Sequence, residues 1–122
     1  MNKNWYVKKL NKKYLLKVGD KTFGCQLGLG GLSFPSRKIE GDRTTPIGKW
    51  YILSIYYRSD RVLRPKIKKK NVLKINRITK SCGWCDDIRS LNYNKHVKIN
   101  NFPSLNFNYE RLWREDSAYD LI

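Results

Sequence analysis

Two cysteines three positions apart are the residues whose types and spacing most directly suggest chemistry. Cys82 and Cys85 form a Cys-x-x-Cys element, a spacing typical of thiol redox pairs and of half a zinc site. Zinc needs four ligands, and Cys25 and His96 lack the usual spacing for the second half. A thioredoxin-like pair precedes a helix, and no helical pattern follows Asp86. We therefore expect no metal and no cofactor here.

A thiol and an imidazole could also act as nucleophile and base, and Cys85 with His96 is the candidate pair. A catalytic thiolate needs a basic neighbour, whereas Asp86 and Asp87 follow Cys85 directly and would disfavour the charged form. Together with Asp42, these acids could suggest a metal or acid–base site, but acids in such loops more often cap turns or pair with Lys and Arg. The sequence therefore assigns no catalytic residue and no metal ligand, and leaves the substrate-binding residues unknown.

The segment 40–50, which reads EGDRTTPIGKW, has the composition of a structured loop that leads into a strand. Its Gly41-Asp42 pair is typical of a tight turn. Pro46 fixes its own backbone angle φ and pushes Thr45 towards an extended conformation. The residues alone thus predict a turn followed by an apolar strand.

The same segment resembles the opening motif of the catalytic domain of L,D-transpeptidases, the cysteine acyltransferases that cross-link bacterial peptidoglycan. Further along the chain, a second set of residues resembles a subgroup of that family in the same order: Gly-Trp-Cys-Asp-Asp at 83–87, Tyr-Asn at 93–94, Glu-Arg-Leu-Trp-Arg at 110–114 and Tyr-Asp-Leu at 119–121. Together the two matches span residues 32–122. In that subgroup these residues look structural or groove-lining, and Cys85 corresponds to a typical buried thiol.

The family's nucleophile belongs to a later segment, in which a histidine in an apolar strand precedes a Ser/Thr-x-Gly-Cys element. These 122 residues contain no such segment. The resemblance implies a reaction in which that cysteine attacks the amide before the terminal D-alanine of a tetrapeptide stem, and an amine of a second stem resolves the acyl-enzyme. We expect the N-terminal portion of such a domain, inactive by itself, with peptidoglycan stem peptides and a complementing C-terminal fragment as partners.

The net charge of +16 supports a different class of function, a small basic nucleic-acid-binding protein. Residues 61–80 hold nine basic side chains and no acid, and Tyr56, Tyr57 and Trp84 could offer stacking surfaces for bases. A solvated lysine-rich face is the competing interpretation. Lysine-rich, alanine-poor composition also follows from AT-rich coding, and peptidoglycan is itself anionic. Charge alone does not separate these cases.

The location of the protein follows from the resemblance rather than from a signal. L,D-transpeptidases act in the periplasm or cell envelope, which is the expected location. The first 16 residues interleave lysines with apolar side chains and lack the apolar core of about 7–15 residues that a secretory signal needs. A cytoplasmic location therefore stays open, and no apolar run predicts a membrane span.

The elements that must position these residues read as mainly β. Residues 5–7 and 14–18 are strand candidates, and Gly19-Asp20 predicts a hairpin turn into residues 21–23. The glycine cluster at 28–31 is expected to form a turn rather than a phosphate loop, because no Lys-Ser/Thr follows it.

In the second half, residues 48–57 predict a central strand covered on both faces. Alternation predicts a half-buried strand over 72–78, and apolar spacings of three and four predict a short helix over 104–114. No linker or repeat divides the chain, so we expect one domain over residues 1–122. The resemblance implies an L,D-transpeptidase-type β-sandwich, incomplete because the C-terminal strands and the active-site segment are absent.

Overall fold

The computed structural model describes residues 5–67, 73–100 and 106–122, and its regular structure is almost entirely β. In these ranges a single-turn 3-10 helix at Pro35–Arg37 is the one helical element. The predicted mainly β class is confirmed. By internal contacts the chain divides into two compact units, a first unit Met1–Lys49 and a second unit Trp50–Ile122.

The first unit opens with a three-stranded antiparallel meander. Strands β1 (Trp5–Leu10), β2 (Lys13–Val18) and β3 (Lys21–Cys25) pair in the order β1-β2-β3. Asn11 and Gly19 take positive φ of 55° and 58° in the two connecting turns, a conformation that glycine and asparagine tolerate best. The predicted hairpin around Gly19 is confirmed, and the first strand continues three residues beyond its predicted end.

A short parallel pair, β4 (Leu32–Ser33) with β5 (Thr45–Pro46), completes the first unit. The preceding glycine cluster packs against the loop that leads into β5. A Cβ on Gly28 would lie 2.0 Å from the carbonyl oxygen of Arg43, so glycine is required by close backbone approach. The expectation of a turn at 28–31 is confirmed.

The second unit contains two further sheets. Strands β6 (Ser54–Tyr57) and β7 (Lys74–Arg77) pair in parallel, from Ser54 opposite Lys74 to Tyr57 opposite Arg77. In the other sheet, β8 (Cys82–Cys85) lies between β9 (His96–Lys98) and β10 (Tyr109–Arg111), both antiparallel to it. A bridge from Tyr57 to Leu121 adds the C-terminal residues to the free edge of β6.

The buried core of the second unit forms around β8. Ile78, Cys82 and Leu112 make one cluster, against which Tyr56, Trp84, Trp113 and Tyr119 pack. On the same strand, a Cβ on Gly83 would lie 2.7 Å from Cδ1 of Ile99. The absence of a side chain at Gly83 therefore leaves the space that the buried Ile99 side chain occupies.

The predicted central strand over 48–57 is correct only for its last four residues. Trp50, Tyr51 and Leu53 are 63%, 77% and 80% exposed, and the strand begins at Ser54. Its ladder partner β7 begins opposite Ser54, so pairing starts there. Apolar, β-prone residues upstream do not form a strand without a neighbouring ladder.

The predicted helix over 104–114 is wrong where the structure describes it. Residues 109–111 form strand β10 on the edge of β8, while residues 104 and 105 lie outside the described ranges. Tertiary pairing overrides the helix-like spacing of the apolar residues. The strand predicted over 72–78 is present at Lys74–Arg77, and Val72 lies outside the described residues.

Candidate functional site

The two cysteines of the Cys-x-x-Cys element lie at opposite ends of β8 as free, buried thiols. Side chains three apart in a strand point to opposite faces. At about 3.3 Å per residue the two Cα atoms are roughly 10 Å apart, beyond the reach of a disulfide. This geometry is unlike that of a redox pair.

Of the other sequence candidates for thiol or metal chemistry, His96 on β9 pairs with Trp84 of this element, whereas Cys25 belongs to the first unit. Cys85 is completely buried, as is typical of an inert structural thiol, whereas His96 stacks on Tyr56. Among the described residues, no group of three or more His, Cys, Asp and Glu could hold a metal ion.

Two of the three acids singled out in the sequence, Asp87 and Asp42, hold loops together, as predicted, whereas Asp86 is exposed. The buried Asp87 accepts hydrogen bonds from the backbone N–H of Arg89 at 3.0 Å and from that of Asn108 at 3.4 Å. The Arg89 side chain also donates to this carboxylate at 3.2 Å. This side-chain bond first, and then the backbone donors, lower the pKa of Asp87. Asp87 is thus an ionised turn residue.

Asp42 has the same role in the first unit. Its carboxylate accepts hydrogen bonds from Lys38 Nζ at 2.6 Å, the Ile39 N–H at 2.8 Å and the Thr44 N–H at 2.8 Å. Lys38 first, and then the backbone donors, hold the pKa of Asp42 well below its usual range. The expected Asp42 turn is present, and it fixes the loop that resembles the family's opening motif.

An open cleft of about 550 Å³ lies in the second unit, and the sequence did not predict it. Strands β6, β7 and β9, the turn after β7 and Cys82 at the start of β8 supply its walls. The residues that bear on its chemistry are Tyr56, Arg77, Thr79, Ser81, His96 and Lys98.

One wall of the cleft contains a stacked pair of rings. His96 lies on Tyr56 with centroids 5.0 Å apart and planes 16° from parallel. Nε2 of His96 is buried and has no hydrogen-bond partner among the described residues. Burial first, and then the charge of Lys98, lower the pKa of His96. The imidazole is therefore neutral at neutral pH.

The turn after β7 places hydroxyl groups on the cleft. Thr79 Oγ1 and Ser81 Oγ are 2.9 Å apart and share a hydrogen bond. The Thr79 N–H donates to Cys82 Sγ at 3.3 Å, and this thiol donates to the Arg77 carbonyl at 3.9 Å. The thiol thereby fixes the turn that presents both hydroxyls.

A second cluster, on the other side of β6, is anchored by a buried arginine. Arg58 is 3% exposed, and its guanidinium lies 3.7 Å from the ring centroid of Trp113. It donates to both carboxylate oxygens of Asp60 and to the Arg114 carbonyl at 2.8 Å. Because Nε, Nη1 and Nη2 of Arg58 each donate to a protein acceptor, this cluster has a structural role.

Distant residues that carry the family resemblance contact one another in the second unit. Trp84 Nε1 donates to Asn94 Oδ1 at 3.1 Å. Tyr119 Oη donates to Glu110 Oε2 at 2.5 Å, which raises the pKa of Tyr119 to about 12. Sequence order predicted the motifs but not these pairings, because strand register is needed to bring them together.

The residues proposed for nucleic-acid contact have mixed positions. Tyr57 is buried, and Tyr56 and Trp84 pack on the core, so these rings offer little face for base stacking. Arg61 donates to the Glu115 carbonyl at 2.9 Å and pairs with Asp120. Residues 68–72 of the basic stretch lie outside the described ranges.

Comparison with protein-family models, curated proteins and solved structures finds no match to this chain. The family resemblance therefore depends on the motif residues alone. Over residues 5–67, 73–100 and 106–122, no helix combines the length and apolar character needed to cross a membrane.

Proposed function

We propose that this chain is an L,D-transpeptidase-family protein that supplies the N-terminal framework of a peptidoglycan cross-linking domain of the β-sandwich type. By itself the chain does not carry out acyl transfer, because its 122 residues lack the Ser/Thr-x-Gly-Cys element of the family. The observation that supports the proposal is that several motif residues of the second unit, Cys85, Leu112 and Trp84 among them, are buried, pack on its core or share hydrogen bonds.

This support is specific to the positions that resemble the family. Cys85 and Leu112 are buried at 0% and 2% exposure, and Gly83 leaves room for Ile99. Trp84 and Asn94, which belong to two different motif elements, share a hydrogen bond. Residues inherited as a framework are expected to pack together in this way.

No group in the described part of the chain replaces the family nucleophile. Cys85 is completely buried, and the thiol of Cys82, which borders the cleft, is 6% exposed and bonded to the turn after β7. Acyl transfer needs an accessible thiolate with a base within hydrogen-bonding distance. A complementing segment would have to supply both, and the periplasm or cell envelope is the implied location.

The test is to read the coding sequence past codon 122 in all three frames for a histidine followed by Ser/Thr-x-Gly-Cys. The encoded segment is then produced together with this chain and supplied with tetrapeptide stems. We expect cross-linked dimers, detected by mass spectrometry, only when both parts are present, and none after Cys→Ala in the added segment. A segment that is absent, or inactive with this chain, would overturn the proposal.

A second proposal, nucleic-acid binding, is favoured by the net charge of +16. It requires affinity for single-stranded DNA that falls steeply with salt, because bound phosphates release counterions. Fluorescence anisotropy at several salt concentrations measures this slope. Binding that is absent, or independent of salt, excludes this function.

A further inference from the structure

We propose that the cleft between β7 and β9 is a binding site for a small organic phosphate monoester. The inference depends on the charge, the hydrogen-bond donors and the shape of the cleft, and it stands independently of the family proposal. Its volume of about 550 Å³ lies in the range of small-molecule sites.

The charge of the cleft favours an anion. Arg77 and Lys98 line it, and none of the described residues that line it is acidic. Within the described part of the chain, neither cation forms an ion pair. Arg77 Nε donates to Tyr57 Oη at 3.4 Å, which fixes the position of this guanidinium. The two cations on one cleft give it a positive potential that favours an anionic ligand.

The donors of the cleft favour phosphate in particular. Besides the two cations, Thr79 and Ser81 present hydroxyl groups 2.9 Å apart. Thr79 Oγ1 also lies 3.4 Å from Cys82 Sγ. When Thr79 donates to Ser81, the Ser81 hydroxyl keeps its own proton to donate to a ligand. Cationic and hydroxyl donors together match the three terminal oxygens of a phosphate monoester better than the two oxygens of a carboxylate.

The remaining wall favours an organic group on that phosphate. Tyr56 and His96 form a stacked aromatic surface, and Ile75 adds an apolar side chain. An aromatic phosphate would place its phosphate group near Arg77 and Lys98 and its ring near Tyr56 and His96.

Phenyl phosphate is the probe, and the ring signals of His96 are the readout. His96 is the only histidine of the chain, so a titration followed by NMR reports on one imidazole. We expect saturable shifts with phenyl phosphate, weaker binding of inorganic phosphate, and at least several-fold weaker binding of benzoate. Equal binding of benzoate and phenyl phosphate would overturn the assignment to phosphate.

The variant that tests the site is Lys98→Gln, with Lys66→Gln as its matched control. Both lysines are exposed in the second unit, but Lys66 does not line the cleft, so both variants remove the same charge from a surface position. We expect Lys98→Gln to weaken phenyl phosphate binding by about tenfold or more, as for a lost charge-assisted hydrogen bond. Lys66→Gln should change it less than about twofold.

Far-UV circular dichroism verifies the fold of each variant, so that a loss of binding is not confused with a loss of folding. A further variant, Ser81→Ala, keeps every charge and is expected to weaken the phosphate more than benzoate. Equal weakening by Lys98→Gln and Lys66→Gln would show a general effect of net charge and would falsify a built site. No saturable shift of His96 with phenyl phosphate would do the same.

Discussion

The first and second units differ in what holds them together. Across residues 5–49 of the first unit, no residue is buried, and its order comes from backbone ladders and turns between near neighbours. In the second unit, the buried side chains of Ile78, Cys82 and Leu112 meet from distant segments. Backbone pairing thus defines the conformation of one unit, whereas side-chain burial supplies most of the stability of the other.

Charged side chains also have different structural roles in the two units. In the first unit, Asp42 organises a partly exposed loop over a span of seven residues, from Lys38 to Thr44. In the second unit, Arg58 reaches the Arg114 carbonyl, 56 positions away. Local ion pairs define a loop, whereas the buried arginine joins segments that are distant in the sequence.

The largest effect is expected for Leu112→Ala, which removes a side chain that is 2% exposed. Its loss should lower the free energy of unfolding of the second unit by about 2–5 kcal/mol, through lost burial and the cavity left behind. The matched change in the first unit, Leu10→Ala at 53% exposure, should cost about 0.5 kcal/mol or less. Urea denaturation measures the free energy of unfolding of both variants, and equal losses would contradict the difference in burial between the two units.

The next effect is expected for Arg58→Lys, which keeps the charge but loses the planar fork and the contact with Trp113. The melting temperature should fall, because a lysine cannot reproduce bonds to Asp60 and the Arg114 carbonyl together. Arg64→Lys, at an exposed position of the same unit, is the control. Equal melting temperatures for the two variants would show that the bonds of Arg58 do not stabilise the contact between these distant segments.

A smaller effect, about 1 kcal/mol or less, is expected for Tyr119→Phe, because the bond to Glu110 is partly exposed to solvent. The pKa of Tyr119 is raised to about 12, against about 10 for a free tyrosine. The bond therefore stabilises the fold below about pH 10, and its contribution is lost as the pH rises towards 12. Ultraviolet difference titration should show the variant lacking one phenolate step near pH 12; a missing step near pH 10 would contradict this.

The smallest effect on global stability is expected for Asp42→Asn, since it acts on a loop of the first unit. The pKa of Asp42 is held below its usual range by Lys38 and backbone donors. Its contribution is therefore present above about pH 3.9 and is lost as the pH falls through the lowered value. Faster amide exchange at Thr44 should mark the variant, whereas Asp20→Asn in the exposed hairpin turn should leave that amide unchanged.

Sequence reasoning succeeded where structure depends on near neighbours. The hairpin around Gly19 and the turn role of Asp42 follow from local residue types, and both are present. The strand at residues 109–111 was missed because its partner β8 lies more than 20 positions away. The cleft was missed for the same reason, since β7 and β9 bring Arg77 and Lys98 together only after the chain has folded.

The bridge from Tyr57 to Leu121 also has a consequence for how the chain folds during synthesis. Tyr56 exchanges backbone hydrogen bonds of 2.8 and 2.9 Å with Ile122, so the second edge of β6 gains its partner only when the last of these 122 residues has left the ribosome. Contacts of such high sequence separation form slowly. Until then, β6 presents unpaired N–H and C=O groups to other chains. A nascent chain would therefore be most open to strand exchange or chaperone capture just before residues 120–122 emerge.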